Sequence, residues 1–556
     1  METFATLALP GTYIGPAGQP LVGRLVANTE LLKALFRHAS FERYCFFVGE
    51  AADREALHQL FVEPGHLVPE RMVTPNLLEL PAALEAGALS VLHHAAHVDQ
   101  LFDLVWLRDR YASTAVPVTG QIHSLSYPRL MTSYARGVLH PPGPGDAIFC
   151  TSTGGRLVVE KSFAAAARAV AGAGGAARPL ACELPVIPLG VDVDLLRTGD
   201  RAATRARLGI PEDAIVLLAL GRFTEYDKMD LFPLVQVFAR ARARRPGGAR
   251  SLHLLLAGAR QGTKTPEMLQ LWAQAFGVAD ALTLCIDFAE ADKRHLLAAA
   301  DVFVSPCDNL QETFGISVVE AMAAGLPPIV SDFDGYKDTV LSDVGIRVTT
   351  RWHGDQSFLS ELGSLLYERP LHLLLGQSVE VDLGELEEAI VALAADDRRR
   401  ADMSRRAIAH ARARFDWRVV VAAYESVWRR LTAMPRAAAA APRVSPGACP
   451  PLAMSFGEIF SHYPTETMAP ERPIARTDVA RALCATQNGY VIYPELKNVF
   501  SNDDVMAALG VVGDRQGADR ITIGDLTERL QPRFPWAPAW RARLLVTWLL
   551  KHGLLR

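Results

Sequence analysis

Apolar and polar positions alternate along this chain in two long blocks. In the first, short apolar runs at 44–48, 90–93, 116–122 and 147–151 read as strands, and stretches of helical period such as 28–38 and 98–111 lie between them. Strands that alternate with helices predict βαβ units and a parallel sheet. Pro185-Val186-Ile187-Pro188-Leu189-Gly190-Val191-Asp192 interrupts the pattern, and its two prolines forbid helix, so it reads as an extended linker. The second block repeats the alternation. Its strands are expected at 214–219, 252–257, 282–286, 302–304, 328–330 and 346–348, with helices at 232–244, 266–275 and 293–299 among others. A helix begins near Asp416-Trp417-Arg418 and runs to about Leu431. Residues 437–451 are rich in Ala and Pro and read as a linker.

With 556 residues the chain is too long for one core. The pattern divides it into an α/β unit at 1–190, a second at 191–415, a linker at 433–451 and a mainly helical unit at 452–556. No internal repeat is visible. Half the residues are apolar and 21% are charged, as in ordinary globular proteins. A net charge of −4 carries no nucleic-acid footprint. The seven cysteines form no C-x-x-C pair and are odd in number, which argues for reduced thiols and a cytoplasmic protein rather than a disulfide framework or structural zinc. The start, Met1-Glu2-Thr3-Phe4, lacks a basic, apolar leader, and the Ala-rich run 163–177 is broken by Arg168 and glycines, so neither a signal peptide nor a membrane span is expected.

The chemistry concentrates in Gln311-Glu312-Thr313-Phe314-Gly315-Ile316-Ser317-Val318-Val319-Glu320-Ala321-Met322-Ala323-Ala324-Gly325-Leu326-Pro327. Gly315 permits a tight turn that exposes backbone N–H groups. A helix starting near Ile316 adds its positive end, a ready seat for phosphate. Glu312 and Glu320 flank that point, where carboxylates can grip neutral hydroxyls; Glu320 is expected in the first helical turn. Upstream, Gly221 and Arg222 follow a strand, with Lys228 six residues beyond Arg222. An arginine fork and a compact lysine charge so placed can share one diphosphate. His123 follows the strand at 116–122.

The string Glu312–Glu320 resembles the E-x7-E segment of retaining glycosyltransferases of the family-4 type, and Gly221-Arg222 with Lys228 is similar to that family's diphosphate segment. The resemblance covers most of 11–432 and is strongest over 214–340. It implies the GT-B fold, two Rossmann-like domains facing across a cleft, with the helix 416–432 crossing back onto the first. It implies transfer of a sugar from a nucleotide-diphosphate donor to an acceptor hydroxyl with retention, in glycan, polysaccharide or glycoconjugate synthesis. Arg222 and Lys228 would neutralise the leaving diphosphate, helped by the backbone from Phe314 through Gly315 and Ile316 to Ser317. Glu312 would hold the donor sugar, Glu320 the ribose, and His123 would stand near the transferred sugar. The family's glycine pair near the acceptor is replaced by Gly15-Pro16-Ala17-Gly18, which leaves Gly18 as the matching glycine and departs from the pattern.

No cofactor or metal is expected beyond the donor itself. Asp332-Phe333-Asp334 matches a D-x-D metal motif of another transferase fold but falls late in the chain, and His93, His94 and His97 lack a completing ligand. Two other readings fit the same residues: a GT-B phosphorylase or epimerase, and a non-catalytic scaffold built on a transferase fold. The last unit holds Thr522–Leu530 and a second helical stretch in a helix-turn-helix or winged-helix-like arrangement of near-zero charge. It is expected to bind a protein partner or present the acceptor, which could be a glycan, a lipid-linked or a small molecule. Peripheral membrane contact fits as well; nucleic acid does not.

Overall fold

The computed structural model of the chain describes residues 1–9, 11–13, 23–96, 100–245, 250–434, 444–445, 448–486, 489–513 and 520–556. Two six-stranded parallel sheets carry the architecture. The first comprises β1 (Thr3–Ala8), β2 (Arg43–Val48), β3 (Met72–Val73), β4 (Val91–His94), β5 (Val118–Gln121) and β6 (Ala147–Phe149), in the order β3-β2-β1-β4-β5-β6. The second comprises β7 (Ile215–Leu220), β8 (Leu252–Gly258), β9 (Leu282–Ile286), β10 (Val302–Ser305), β11 (Pro328–Ser331) and β12 (Ile346–Val348), in the order β12-β11-β10-β7-β8-β9. Both are covered by helices on two faces, so their central strands β1, β7 and β8 are buried throughout, and β7 reads as an unbroken apolar run.

In each sheet the chain starts at the centre, builds outward, and then crosses to the other side. The reversal falls between β1 and β4 in the first sheet and between β7 and β10 in the second. Ligand crevices of doubly wound sheets open at the carboxyl ends of strands at such a reversal. The loops after β7 and β10 are the two that carry Arg222, Lys228 and Glu312.

The helix Trp417–Thr432, capped by the Asp416 carboxylate on the Arg418 N–H, packs on the first sheet although it follows the second in sequence. Trp428 stacks edge-on to Phe4 at 5.6 Å between centroids, and its indole N–H donates to Thr119 Oγ1 at 3.2 Å. Two features differ from the sequence reading. β1 was not anticipated: Thr-Phe-Ala-Thr-Leu-Ala is short, four of its six residues are Thr or Ala, and it shows neither alternation nor a long apolar run. Beyond β12 the chain forms an antiparallel ribbon, β13 (Thr350–Trp352) with β14 (Val379–Val381), that carries helices Ser357–Leu362 and Glu368–Gln377. The expected linker at 185–192 is extended and runs alongside β6, where the Ile187 N–H donates to the Cys150 carbonyl at 2.8 Å.

The last unit has helices Asp478–Thr486, Asn502–Val512, Ile523–Leu530 and Pro538–Lys551. Leu509, Leu526, Leu545 and Trp548 centre a hydrophobic core drawn from that unit alone. Among the described residues no helix is long and apolar enough to cross a membrane.

Candidate active site

A cavity of about 830 Å³ is lined by both halves of the molecule. From the first half come His123, Tyr127 and Arg24; from the second come Gly221, Arg222 and Lys228 after β7, and the loop and helix from Glu312 to Glu320. Every residue that the resemblance places in the site lines this cavity except Gly18, which lies outside the described residues, as do Gly15 and His97.

The glutamate loop is shaped by Gly315, which caps the helix Ile316–Ala324 with φ +90°. A Cβ there would approach Tyr336 Cε1 to 2.2 Å, so both conformation and space demand glycine. The Gly315 N–H donates to Glu312 Oε1 at 2.8 Å, and Glu312 Oε2 meets Lys228 Nζ at 2.5 Å. Burial works to raise the Glu312 carboxyl, but the Lys228 charge and the loop N–H groups outweigh it and hold it below its ordinary value. Burial likewise works against the Lys228 ammonium, and Glu312 reverses it to a net rise. Both groups are therefore charged at neutral pH. Arg222 Nη1 lies 2.9 Å from Asp227 Oδ2, which fixes the guanidinium beside the loop.

Glu320 sits five residues into its helix, in the second turn, which corrects the expectation of a first-turn position. The helix starts only after Gly315, so one turn separates the carboxylate from the exposed N–H groups. Its Oε1 meets Lys293 Nζ at 2.8 Å. Lys293 is a cavity-lining cation that sequence reasoning missed, since nothing distinguishes it from a surface lysine at a helix start. Gly258, at the end of β8, was missed too. A Cβ there would lie 1.6 Å from the Gly221 carbonyl oxygen, so the strand end must be bare for the loop after β7 to pass.

His123 donates from Nε2 to the Ala95 carbonyl at 2.6 Å. Burial, stronger than that hydrogen bond, lowers its pKa to about 4. The ring is neutral, and Nδ1 is left as its acceptor. Asp332 stands 3.4 Å from Arg347, while Asp334 lies against Gly154 of the first half, where a Cβ would come 2.3 Å from its Oδ1. The two carboxylates thus serve different contacts. His93 is buried with Nδ1 3.0 Å from Thr119 Oγ1, and His94 faces Gln100. Among the described residues no group of three His, Cys, Asp or Glu is placed to hold a metal ion.

Residues 200–362 match the family described as glycosyl transferases group 1. The chain is 32% identical over 320 residues to a D-inositol 3-phosphate glycosyltransferase of Geodermatophilus obscurus, covering 53% of this chain and 66% of that one. It is 33% identical over 190 residues to a protein of the same name from Stackebrandtia nassauensis, covering 34% of this chain and 42% of that one. The chain thus spans less than two thirds of the length of these relatives. Among solved structures, sucrose-phosphate synthase from Thermosynechococcus elongatus superposes with a TM-score of 0.50 at 18% identity, over 78% of this chain and 100% of that one. A glycosyltransferase from Rickettsia africae superposes with 0.53 at 11% identity, over 78% and 99%. These last two bear on fold alone, and the fold is GT-B. Over residues 200–362 the chain is thus similar to the group 1 glycosyltransferases, the family-4 type.

Proposed function

We propose that this protein transfers a sugar, with retention, from a nucleotide-diphosphate donor to an acceptor hydroxyl. The observation that carries the reading is the convergence of Arg222, Lys228, the open helix end at Gly315–Ser317 and both glutamates on one cavity between the two halves. Arg222, Lys228 and the helix N-terminus take the diphosphate and stabilise the charge that develops as it leaves. In doing so the diphosphate competes with Glu312 for the Lys228 ammonium. Glu312, released from that pair, turns its oxygens to the hydroxyls of the donor sugar, and Glu320 accepts from the ribose. Neutral His123 offers Nδ1 to a hydroxyl of the transferred sugar. The domain division at 190 and the accessory role of 452–556 belong to the same proposal, with the acceptor on the first half.

The relatives' printed name makes inositol 3-phosphate the first acceptor to try, and Arg24 and Arg129 on the first-half wall suit an anionic group. The test is a screen of the full chain over UDP-, GDP- and ADP-sugars in the presence of EDTA, with and without that acceptor. Release of one nucleoside diphosphate and a product of unchanged anomeric configuration are expected. Consumption of no donor would overturn the reading, and a strict need for Mn²⁺ lost in Asp332→Asn with Asp334→Asn would return the metal to those aspartates.

A further inference from the structure

The ribbon β13–β14 and its helices touch three separate parts of the site. On the first half, the His372 ring stands edge-on to Tyr127 with centroids 5.2 Å apart. On the loop after β7, Gln377 donates to Asp230 Oδ2 at 3.1 Å, and the Arg369 guanidinium lies 4.9 Å from the Tyr226 ring centroid. On the glutamate loop, His372 meets Gln311, the residue immediately before Glu312.

That last contact is buried: His372 is 2% exposed and Gln311 9%. Gln311 Nε2 lies 2.9 Å from His372 Nδ1 and 3.0 Å from Nε2. His372 Nε2 is 3.2 Å from Ser126 Oγ and 3.3 Å from the Ser126 carbonyl, across the cavity on the first half. With Nε2–H donating to Ser126, Nδ1 is the acceptor for the Gln311 amide. Burial holds His372 below its usual pKa against the pull of the Ser126 carbonyl, Glu368 and Asp227, so the ring is neutral and able to accept. Without it, the buried Gln311 amide would keep only its side-chain hydrogen bond with Tyr127, and the loss of the ring acceptor is a cost that the loop relieves by moving. Tyr127 of the first half is a second hydrogen-bond partner of that side chain, while the backbone of the loop is held within its own turn, where the Gln311 N–H donates to Asn309 Oδ1 and the Glu312 N–H to the Asn309 carbonyl.

We propose that His372 is a positioning residue, which couples the seat of the 350–382 extension on Ser126 to the setting of Gln311 and hence of Glu312. The consequence for function rests on the reading that Glu312 grips the donor sugar. Packing alone would accept any side chain of similar shape, whereas positioning needs a hydrogen-bond acceptor.

The test compares His372→Phe, which fills the space without accepting, with His372→Asn, which can accept, in the full chain. Hydrogen exchange at amides 311–315 should quicken roughly fivefold or more in His372→Phe, the loss of about one net hydrogen bond, and return to near the wild-type rate in His372→Asn. With whichever of UDP-glucose, GDP-mannose or ADP-glucose the wild type consumes, kcat should fall in His372→Phe while binding of the bare nucleoside diphosphate is kept. Unchanged exchange in His372→Phe, or equal acceleration in both variants, overturns the proposal. Should His372→Phe not fold, Gln311→Leu must quicken exchange at 312–315, and its failure to do so overturns the proposal equally. If the wild type consumes none of the donors, the reading of the cavity as a donor site fails, and the exchange comparison still decides whether His372 sets the loop.

Discussion

At the scale of single residues the site is organised by pairs. Lys228 and Glu312 each make the other's charged form favourable, so removing one leaves a buried charge alone. Lys228→Ala should therefore cut turnover by about 100-fold or more through loss of a transition-state cation. It should also lower Tm, because breaking a buried pair costs roughly 3–5 kcal/mol. The two effects separate in the double variant Lys228→Met with Glu312→Gln, which should recover much of the Tm and none of the turnover. Kinetics and melting curves on both proteins check this, and near wild-type turnover in Lys228→Ala would remove the lysine from the reaction. Asp308 makes a second residue-scale prediction. Burial, aided by the Asp230 charge, raises its pKa to about 7. A carboxyl raised in the fold is most stabilising when protonated, so that contribution is present below about pH 4 and lost as pH rises through about 7. Asp308→Asn should thus raise Tm at pH 8 and change it little at pH 4; an equal shift at both pH values would contradict the buried-acid account.

At the scale of elements, what was legible in the sequence is what carries local physics. The strands from 214 to 348 are found within a residue or two of the expected bounds, because buried parallel strands are apolar runs cut off by turn residues. Gly315 was legible because a left-handed residue ahead of a helix has few alternatives to glycine. β1 was not, since a central strand of small and β-branched residues resembles a loop when its neighbours are unknown. His372 and Lys293 were not legible either, because their partners lie 61 and 27 residues away and only the fold brings them together. The glutamates divide along the same helix. Glu320, one turn in and paired with Lys293, should face the ribose, so Glu320→Ala should weaken bare nucleoside diphosphate and intact donor alike. Glu312 competes with the diphosphate for Lys228, so Glu312→Ala should bind the bare nucleotide no more weakly than the wild type while transfer is lost. Calorimetry with both ligands on both variants measures this, and equal losses for the bare nucleotide would contradict the division.

At the scale of the whole molecule, the order of the chain and the order of its cores differ. The helix Trp417–Thr432 follows the second sheet in sequence yet completes the core of the first, with Tyr424 and Trp428 fully buried there. Any cut upstream of it would open that core. Beyond it the balance changes, because the hydrophobic centre of residues 474–555 is built from its own side chains. The chain between them touches the first half where Arg136 donates to the Pro451 carbonyl at 3.2 Å. Among the described residues, none after Trp417 lines the cavity that holds the proposed donor site. A chain ended after Met434 should therefore keep its fold, bind the nucleoside diphosphate as tightly as the full protein, and hydrolyse donor slowly. If residues 452–556 recruit the acceptor, transfer to that acceptor falls while hydrolysis persists. If they only buttress the core, Tm and both activities fall together. Loss of donor binding in a truncated protein whose circular dichroism remains native would refute the separation, for it would mean that the last unit shapes the donor site without lining it.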